Sequence, residues 1–351
     1  MHRLLKTIVW LSITVTSSLN AQNSPKFGDD FKVFAIDEGF SCENVRQIVQ
    51  DNTGFIWLAS NSGLYRFDGN HFELAKNTDQ RIQRCLESDI LNIYIDKMHR
   101  MWVGSQKGLV VYDPLTDSFS MVQFSQNDIS YVHSIVQAPD GAIWISCNYG
   151  VYVVDNQYNA VPLYKENNTR HSLAIILSDF NKKSLWLVNY STVTKVNYTK
   201  RSEEFSFRYS SDNSQEENFQ TTANIDHQGQ LWIGKYNGEV YKIQPLLKQI
   251  DKYDFKQIAK SSFAIINYIY CDGLGKIWIA VDETGILSYN PHKNSFEAEL
   301  TTKQQQHNLP TYKITTLFKD RESNLWFHMK NTGLVLYNPS MSKFGKFQID
   351  A

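Results

Sequence analysis

The chain has 351 residues, 42% hydrophobic and 20% charged, a balance suited to a folded protein and not to a disordered one. Its 35 basic and 36 acidic residues nearly cancel, so the single-sign field typical of nucleic-acid and anionic-membrane binders is missing. Four cysteines, Cys42, Cys85, Cys147 and Cys271, contain no C-x-x-C pair, which argues against a zinc or redox motif.

Residues 1–21 read as a secretory signal peptide. Arg3 and Lys6 are followed by an apolar run from Thr7 to about Leu19 and a small residue at Ala21. That run is shorter than the ~20 residues of a comfortable bilayer span. Residues 22–30 read as a linker and 31–351 as one repeating domain.

The repeat is marked by Trp57, Trp102, Trp144, Trp186, Trp232, Trp278 and Trp326, spaced 45, 42, 42, 46, 46 and 48 residues apart. Asp stands six residues before five of them (Asp51, Asp96, Asp226, Asp272, Asp320), and Gly three before four (Gly54, Gly141, Gly229, Gly275). Another Gly follows six or seven residues on, at 63, 108, 150, 238, 285 and 333. Each unit decodes into four strands, A to D. In the first, these are Val45–Gln50, Phe55–Ser60, Leu64–Phe67 and His71–Lys76, with Asp51-Asn52-Thr53-Gly54 as the A–B turn. Asp holds the turn's N–H groups there and Gly supplies positive φ. The second unit repeats this at Ile90–Ile95, Met101–Gly104, Leu109–Tyr112 and Ser118–Gln123. The fourth lacks Asp and Gly at its turn but keeps strands Ala174–Leu177, Leu185–Val188 and Val193–Val196. Four strands at a period of ~40–45 residues predict propeller blades. The expected fold is therefore all-β, a seven-bladed β-propeller of four-stranded blades. Two further segments, Phe31–Ile36 and Phe344–Ile349, both suit the outer place of blade 7, where a terminal strand closes the ring.

With these units aligned, Asp51-Asn52-Thr53-Gly54-Phe55-Ile56-Trp57 and Gly63-Leu64-Tyr65-Arg66-Phe67-Asp68-Gly69 resemble the two-component regulator propeller repeat of bacterial periplasmic sensor regions. Asp96 through Asp113 matches nearly as well, and the resemblance covers about residues 31–350. It implies a propeller that binds a ligand, often carbohydrate, and passes the signal to a histidine kinase or diguanylate cyclase. No linker domain, membrane helix or output domain can be read in these residues, so the output region and any membrane attachment are expected outside them.

Repetition itself argues that the Trp and Asp residues hold blades together, leaving function to the parts that differ. The B–C and D–A loops share one face. From them the expected ligand-binding residues are Gln106, Lys107, Asn148, Tyr149, Tyr190, Lys235, Tyr236 and Lys330, with Arg81, Arg84, Tyr131, His171 and Tyr312 on the same rim. Amides and ammonium groups satisfy hydroxyls or a carboxylate, while Tyr rings stack on flat faces. The expected partner is a small polar ligand such as a carbohydrate, with a downstream signalling domain and no nucleic acid. No catalytic residue, metal site or cofactor is assigned, since no metal-ligand spacing of His, phosphate loop or G-x-S-x-G occurs. His133 opens a strand A on this reading, with a satisfied structural role the leading expectation and a place facing the channel the alternative. A non-catalytic periplasmic sensor is the leading expectation; an exported polysaccharide lyase or glycosidase and a protein-docking scaffold are the alternatives. Cys42 and Cys85 precede strand A of consecutive blades, so a disulfide between them is a lesser expectation.

Overall fold

The structure, a computed structural model, describes residues 31–34, 44–124, 131–163, 174–179, 183–210, 221–259, 264–301 and 313–338. Seven antiparallel sheets form the blades. Blade 1 runs outward through Val45–Gln50, Ile56–Ser60, Gly63–Phe67 and Phe72–Leu74. Blades 2 to 6 repeat this meander from inner strands Ile90–Ile95, Ser134–Gln137, Ile175–Asp179, Thr221–Ile225 and Ile266–Cys271. Blade 7 contributes Ile314–Lys319, Leu325–Met329 and Gly333–Tyr337, and its outer strand is Phe31–Phe34, with Phe31 opposite Tyr337. The inner strands touch in a closed ring, Ile314–Lys319 lying against Val45–Gln50. Of the two terminal segments that suited the outer place, the early one holds it; 344–349 lies outside the described residues. Gln123–Phe124 adds a parallel fifth strand to blade 3, and short helices Gln80–Leu86 and Phe255–Ala259 sit in D–A connections. Among the described residues no helix is long and apolar enough to cross a membrane.

All seven Trp lie on strand B and are buried, Trp278 being the most exposed at 8%. Each packs into the blade that follows. Trp102 meets Ile135, Ile143 and Ile145 of blade 3, and Trp326 crosses the closure to Val45, Ile48 and Leu58 of blade 1. Burying a ring of this size removes ~150–250 Å² from water, on the order of 4–6 kcal/mol of transfer free energy.

The six-residue interval from Asp to Trp has a direct physical cause. In blade 1 Asp51 Oδ1 accepts the N–H groups of Thr53, Gly54 and Phe55, while Oδ2 accepts Trp57 Nε1–H at 2.7 Å. Asp96, Asp226, Asp272 and Asp320 bind Trp102, Trp232, Trp278 and Trp326 at 2.9, 2.9, 3.0 and 2.7 Å. One carboxylate thus ties the hairpin to the interblade core, a second task beyond the turn. The residue three before Trp has positive φ in all seven blades, including His99 at 64°, Lys183 at 49° and Ser323 at 68°. The backbone, more than the glycine, is what repeats.

Around the axis a polar side chain ten residues before Trp clasps the next blade. Gln47 Oε1 accepts Ile93 N–H at 2.8 Å, Asn92 Oδ1 accepts Ile135 N–H at 3.0 Å, and Ser134 Oγ accepts Ile176 N–H at 3.0 Å. Thr222 Oγ1 accepts Ile269 N–H at 3.1 Å. These bonds satisfy buried donors between sheets that share no ladder.

Candidate functional site

An antiparallel meander places every B–C and D–A loop at one end of the propeller and every A–B and C–D turn at the other. At the first end a cavity of about 190 Å³ opens where the inner strands begin. Arg46 of blade 1, Thr222 and Tyr236 of blade 5, Asn267 of blade 6, and Lys313 and Thr315 of blade 7 line it. Arg46 forms a two-pronged pair with Asp89, Nε–Oδ1 2.8 Å and Nη2–Oδ2 2.6 Å, and Asp89 Oδ2 also accepts Gln106 Nε2–H at 3.1 Å. Asn267 Nδ2 donates to Asp282 Oδ1 at 2.9 Å. Lys313 Nζ lies 5.9 Å from the centre of the Tyr236 ring, which is 42% exposed. His133 immediately precedes strand A of blade 3, Ser134–Gln137; burial, then the nearby Arg46 charge, push its pKa down to about 4, so it is neutral at pH 7.

Of the eight residues expected to bind ligand, Tyr236 lines this cavity. Lys107, Tyr149 (40% exposed) and Lys330 stand exposed on the surrounding rim, and Asn148 is half-buried. Gln106 is engaged by Asp89 through both side chain and backbone. Lys235 requires a correction. Strand B runs Leu231–Lys235, so Lys235 is its last residue, is fully buried, and does not present its ammonium to the rim. Its Nζ donates to Ser210 Oγ at 2.7 Å and sits 4.0 Å from the centre of the Tyr190 ring, with Tyr209 and Tyr241 beyond. Tyr190 is half-buried in the same cluster, and its carbonyl accepts the Tyr209 hydroxyl at 2.7 Å. The repeat register carries the missed signal. The residue three after Trp is buried in other blades, as Ser60, Ser105, Cys147 and Met329.

Arg81 is exposed and paired with Asp79, Arg84 is exposed, and Tyr131 is 46% exposed with φ of 57°. His171 and Tyr312 lie outside the described residues. Sequence reasoning missed Arg46, Asn267 and Lys313. Their trace was a polar or charged residue opening an otherwise apolar inner strand, as in Asn44-Val45-Arg46. Cys85 is a buried free thiol whose Sγ lies 3.5 Å from Lys107 O, and Cys42 falls outside the described residues. Burial pushes the Cys147 thiol up to about 11 and Cys271 up to about 12, so both stay protonated and unreactive at neutral pH.

No family model and no curated protein sequence matches the chain. Solved structures do. The chain is similar to the extracellular domain of a putative hybrid two component system from B. thetaiotaomicron, with 20% identity and TM-score 0.67 over 88% of this chain and 41% of that one. It is also similar to the extracellular domain of a putative one component system from that organism, with 18% identity and TM-score 0.65 over 87% and 40%. The chain therefore spans about two-fifths of the length of these domains. A streptogramin B lyase matches at 13% identity and TM-score 0.66 over 88% of this chain and 97% of the other. Virginiamycin B lyase from Staphylococcus aureus matches at 11% and 0.64, over 88% and 99%. At such identities the likeness shows the fold alone. The chain is a seven-bladed propeller of the architecture found in the extracellular domains of one- and two-component signalling proteins.

Proposed function

We propose that this chain is the non-catalytic, ligand-sensing propeller of an exported signalling receptor, and that its ligand enters the channel mouth on the B–C loop face. The observation that carries the reading is the pairing, in one cavity, of the exposed Tyr236 ring with the Lys313 ammonium. A cation beside an aromatic face, with the Asn267 amide and Thr315 hydroxyl near, suits a small hydroxylated or carboxylated ligand such as a sugar or sugar acid. The likeness to extracellular domains of signalling proteins supports an exported sensor, and the repeat resemblance adds a kinase or cyclase region as its output. Two carboxylates at the mouth are committed elsewhere, Asp89 to Arg46 and Asp282 to Asn267, which disfavours an acid–base pair built on them.

A thermal-shift screen of the purified chain against neutral sugars, uronic acids and short carboxylates tests this. A ligand present at a hundred times its Kd stabilises the fold by about 2.7 kcal/mol. A hit in one of the three classes is expected, with its shift reduced in Lys313→Ala. Silence across all three classes contradicts the reading.

A further inference from the structure

On the opposite face, between blades 5 and 6, lies a second cavity of about 480 Å³. Its volume falls in the range of roughly 300–1,000 Å³ common for small-molecule sites. Lys242 of blade 5 lies within it, half-buried. Its Nζ is 3.1 Å from the Tyr289 hydroxyl of blade 6, 4.9 Å from that ring's centre and 5.6 Å from the centre of Trp232.

The other charged residues lining this cavity are spent. Asp226 Oδ1 accepts the N–H groups of Gln228 and Gln230, and its Oδ2 accepts Trp232 Nε1–H. Glu297 Oε1 accepts from both Asn290 and Lys293. Lys276 is paired with Glu299 at 2.5 Å. Lys242 differs: among the described residues no carboxylate comes within ion-pair distance of it. Cations at the same place in other blades, on strand C directly across from Trp, do have one. Arg66 pairs with Glu73 at 3.4 Å and Lys195 with Glu204 at 2.9 Å, both from strand D. The strand D residue across from Lys242 is Asp251, yet Lys242 turns to the aromatic faces instead.

A half-buried ammonium without a counter-ion, in an open cleft, recruits an anion. Exposed His227 and His292, together with Gln230, line the rest of the cleft and supply hydrogen-bonding groups for hydroxyls, while Leu274, 85% exposed, offers an apolar wall. We infer that the blade 5–6 cleft is a second binding site, specific for a hydroxylated carboxylic acid of the uronic-acid kind, whose carboxylate pairs with Lys242. It is separate from the channel mouth, since the two cavities share no residue.

The test uses the full chain carrying Tyr149→Ala and Tyr236→Ala, which removes the rim rings and leaves the cleft intact. Calorimetry with sodium glucuronate is expected to show binding. Adding Lys242→Met, which keeps the aliphatic stem over Trp232, is expected to weaken it at least about tenfold, and Lys242→Arg to retain it. The methyl ester of glucuronate, which lacks the charge, is expected to bind the parent at least about tenfold more weakly than the acid. This comparison of ligands stands even if Lys242→Met fails to fold. Absence of glucuronate binding to the parent, equal affinity for acid and ester, or unchanged affinity in a folded Lys242→Met variant would each overturn the inference. Loss of the channel-mouth reading alone would leave these results unchanged.

Discussion

Blades 2 and 3 are neighbours on the same plan, yet only one joins its turn to its core. In blade 2 Asp96 reaches Met98 N–H at 2.9 Å, Arg100 N–H at 3.0 Å and Trp102 Nε1–H at 2.9 Å. In blade 3 Ala138 occupies the same place, and among the described residues Trp144 Nε1 has no hydrogen-bond partner. The hairpin survives the loss. Ala138 N–H still reaches Ala142 O at 2.8 Å, as Asp96 N–H reaches Arg100 O at 3.0 Å. The turn is therefore set by the chain's own backbone bonds, and the buried indole is what most needs the carboxylate.

The largest expected effect comes from the rings themselves. Trp102→Ala is expected to destabilise by about 3–5 kcal/mol in chemical denaturation, since it empties the core between blades 2 and 3. A smaller loss would mean the ring is not what joins these sheets. Next comes the carboxylate. Asp96→Ala leaves a buried indole N–H and two turn donors unmatched and also strips Arg100 of its partner at 2.7 Å, so a loss of about 2–3 kcal/mol is expected. The reciprocal change, Ala138→Asp, supplies Trp144 with an acceptor and is expected to stabilise by about 1 kcal/mol. If it destabilises instead, blades 2 and 3 differ by more than this one group.

The joint between blades 7 and 1 sharpens the comparison in another way. Two residues after Trp, other blades carry Ala59, Gly104, Gly234 and Ala280, but blade 7 carries His328, 1% exposed, with Nδ1 2.8 Å from Thr315 Oγ1. Burial pushes its pKa down to about 4, below the ordinary 6.5. The unfolded chain then binds the extra proton first as pH falls. Stability is complete above about pH 6.5 and declines toward pH 4, by up to about 1.4 kcal/mol per pH unit from this residue. His133 is shifted in the same direction. Denaturation midpoints across that range should fall more shallowly for His328→Asn than for the parent; identical slopes would remove His328 from the account.

Much of the fold was legible because its signals are local and recur in phase. Trp, Asp and Gly intervals mark strand B, the A–B turn and the B–C turn within a dozen residues of one another. Ring closure was not legible, because Phe31–Ile36 and Phe344–Ile349 alternate alike and only tertiary packing chooses between them. Lys235 was misplaced for a related reason. Read by residue type it is a loop cation, whereas its register, three after Trp232, is a buried position. The clasping residues Gln47, Asn92, Ser134 and Thr222 were hidden because four different side chains do one job. The cavity at the channel mouth was half legible: its Tyr236 came from a B–C loop, but Arg46 lies in an inner strand that reads as framework and Lys313 immediately precedes one.

The most direct test of ligand sensing at the channel mouth is calorimetry of the best-binding compound on the Tyr149→Ala/Tyr236→Ala variant, with Lys242→Met present in both that variant and its parent so that the blade 5–6 cleft does not contribute. Both rings are exposed, at 40% and 42%, so the melting temperature should stay within a few degrees of the parent. Binding at the mouth should be lost while the fold is kept. Parent-like affinity in the folded double variant would contradict the account and move the site elsewhere.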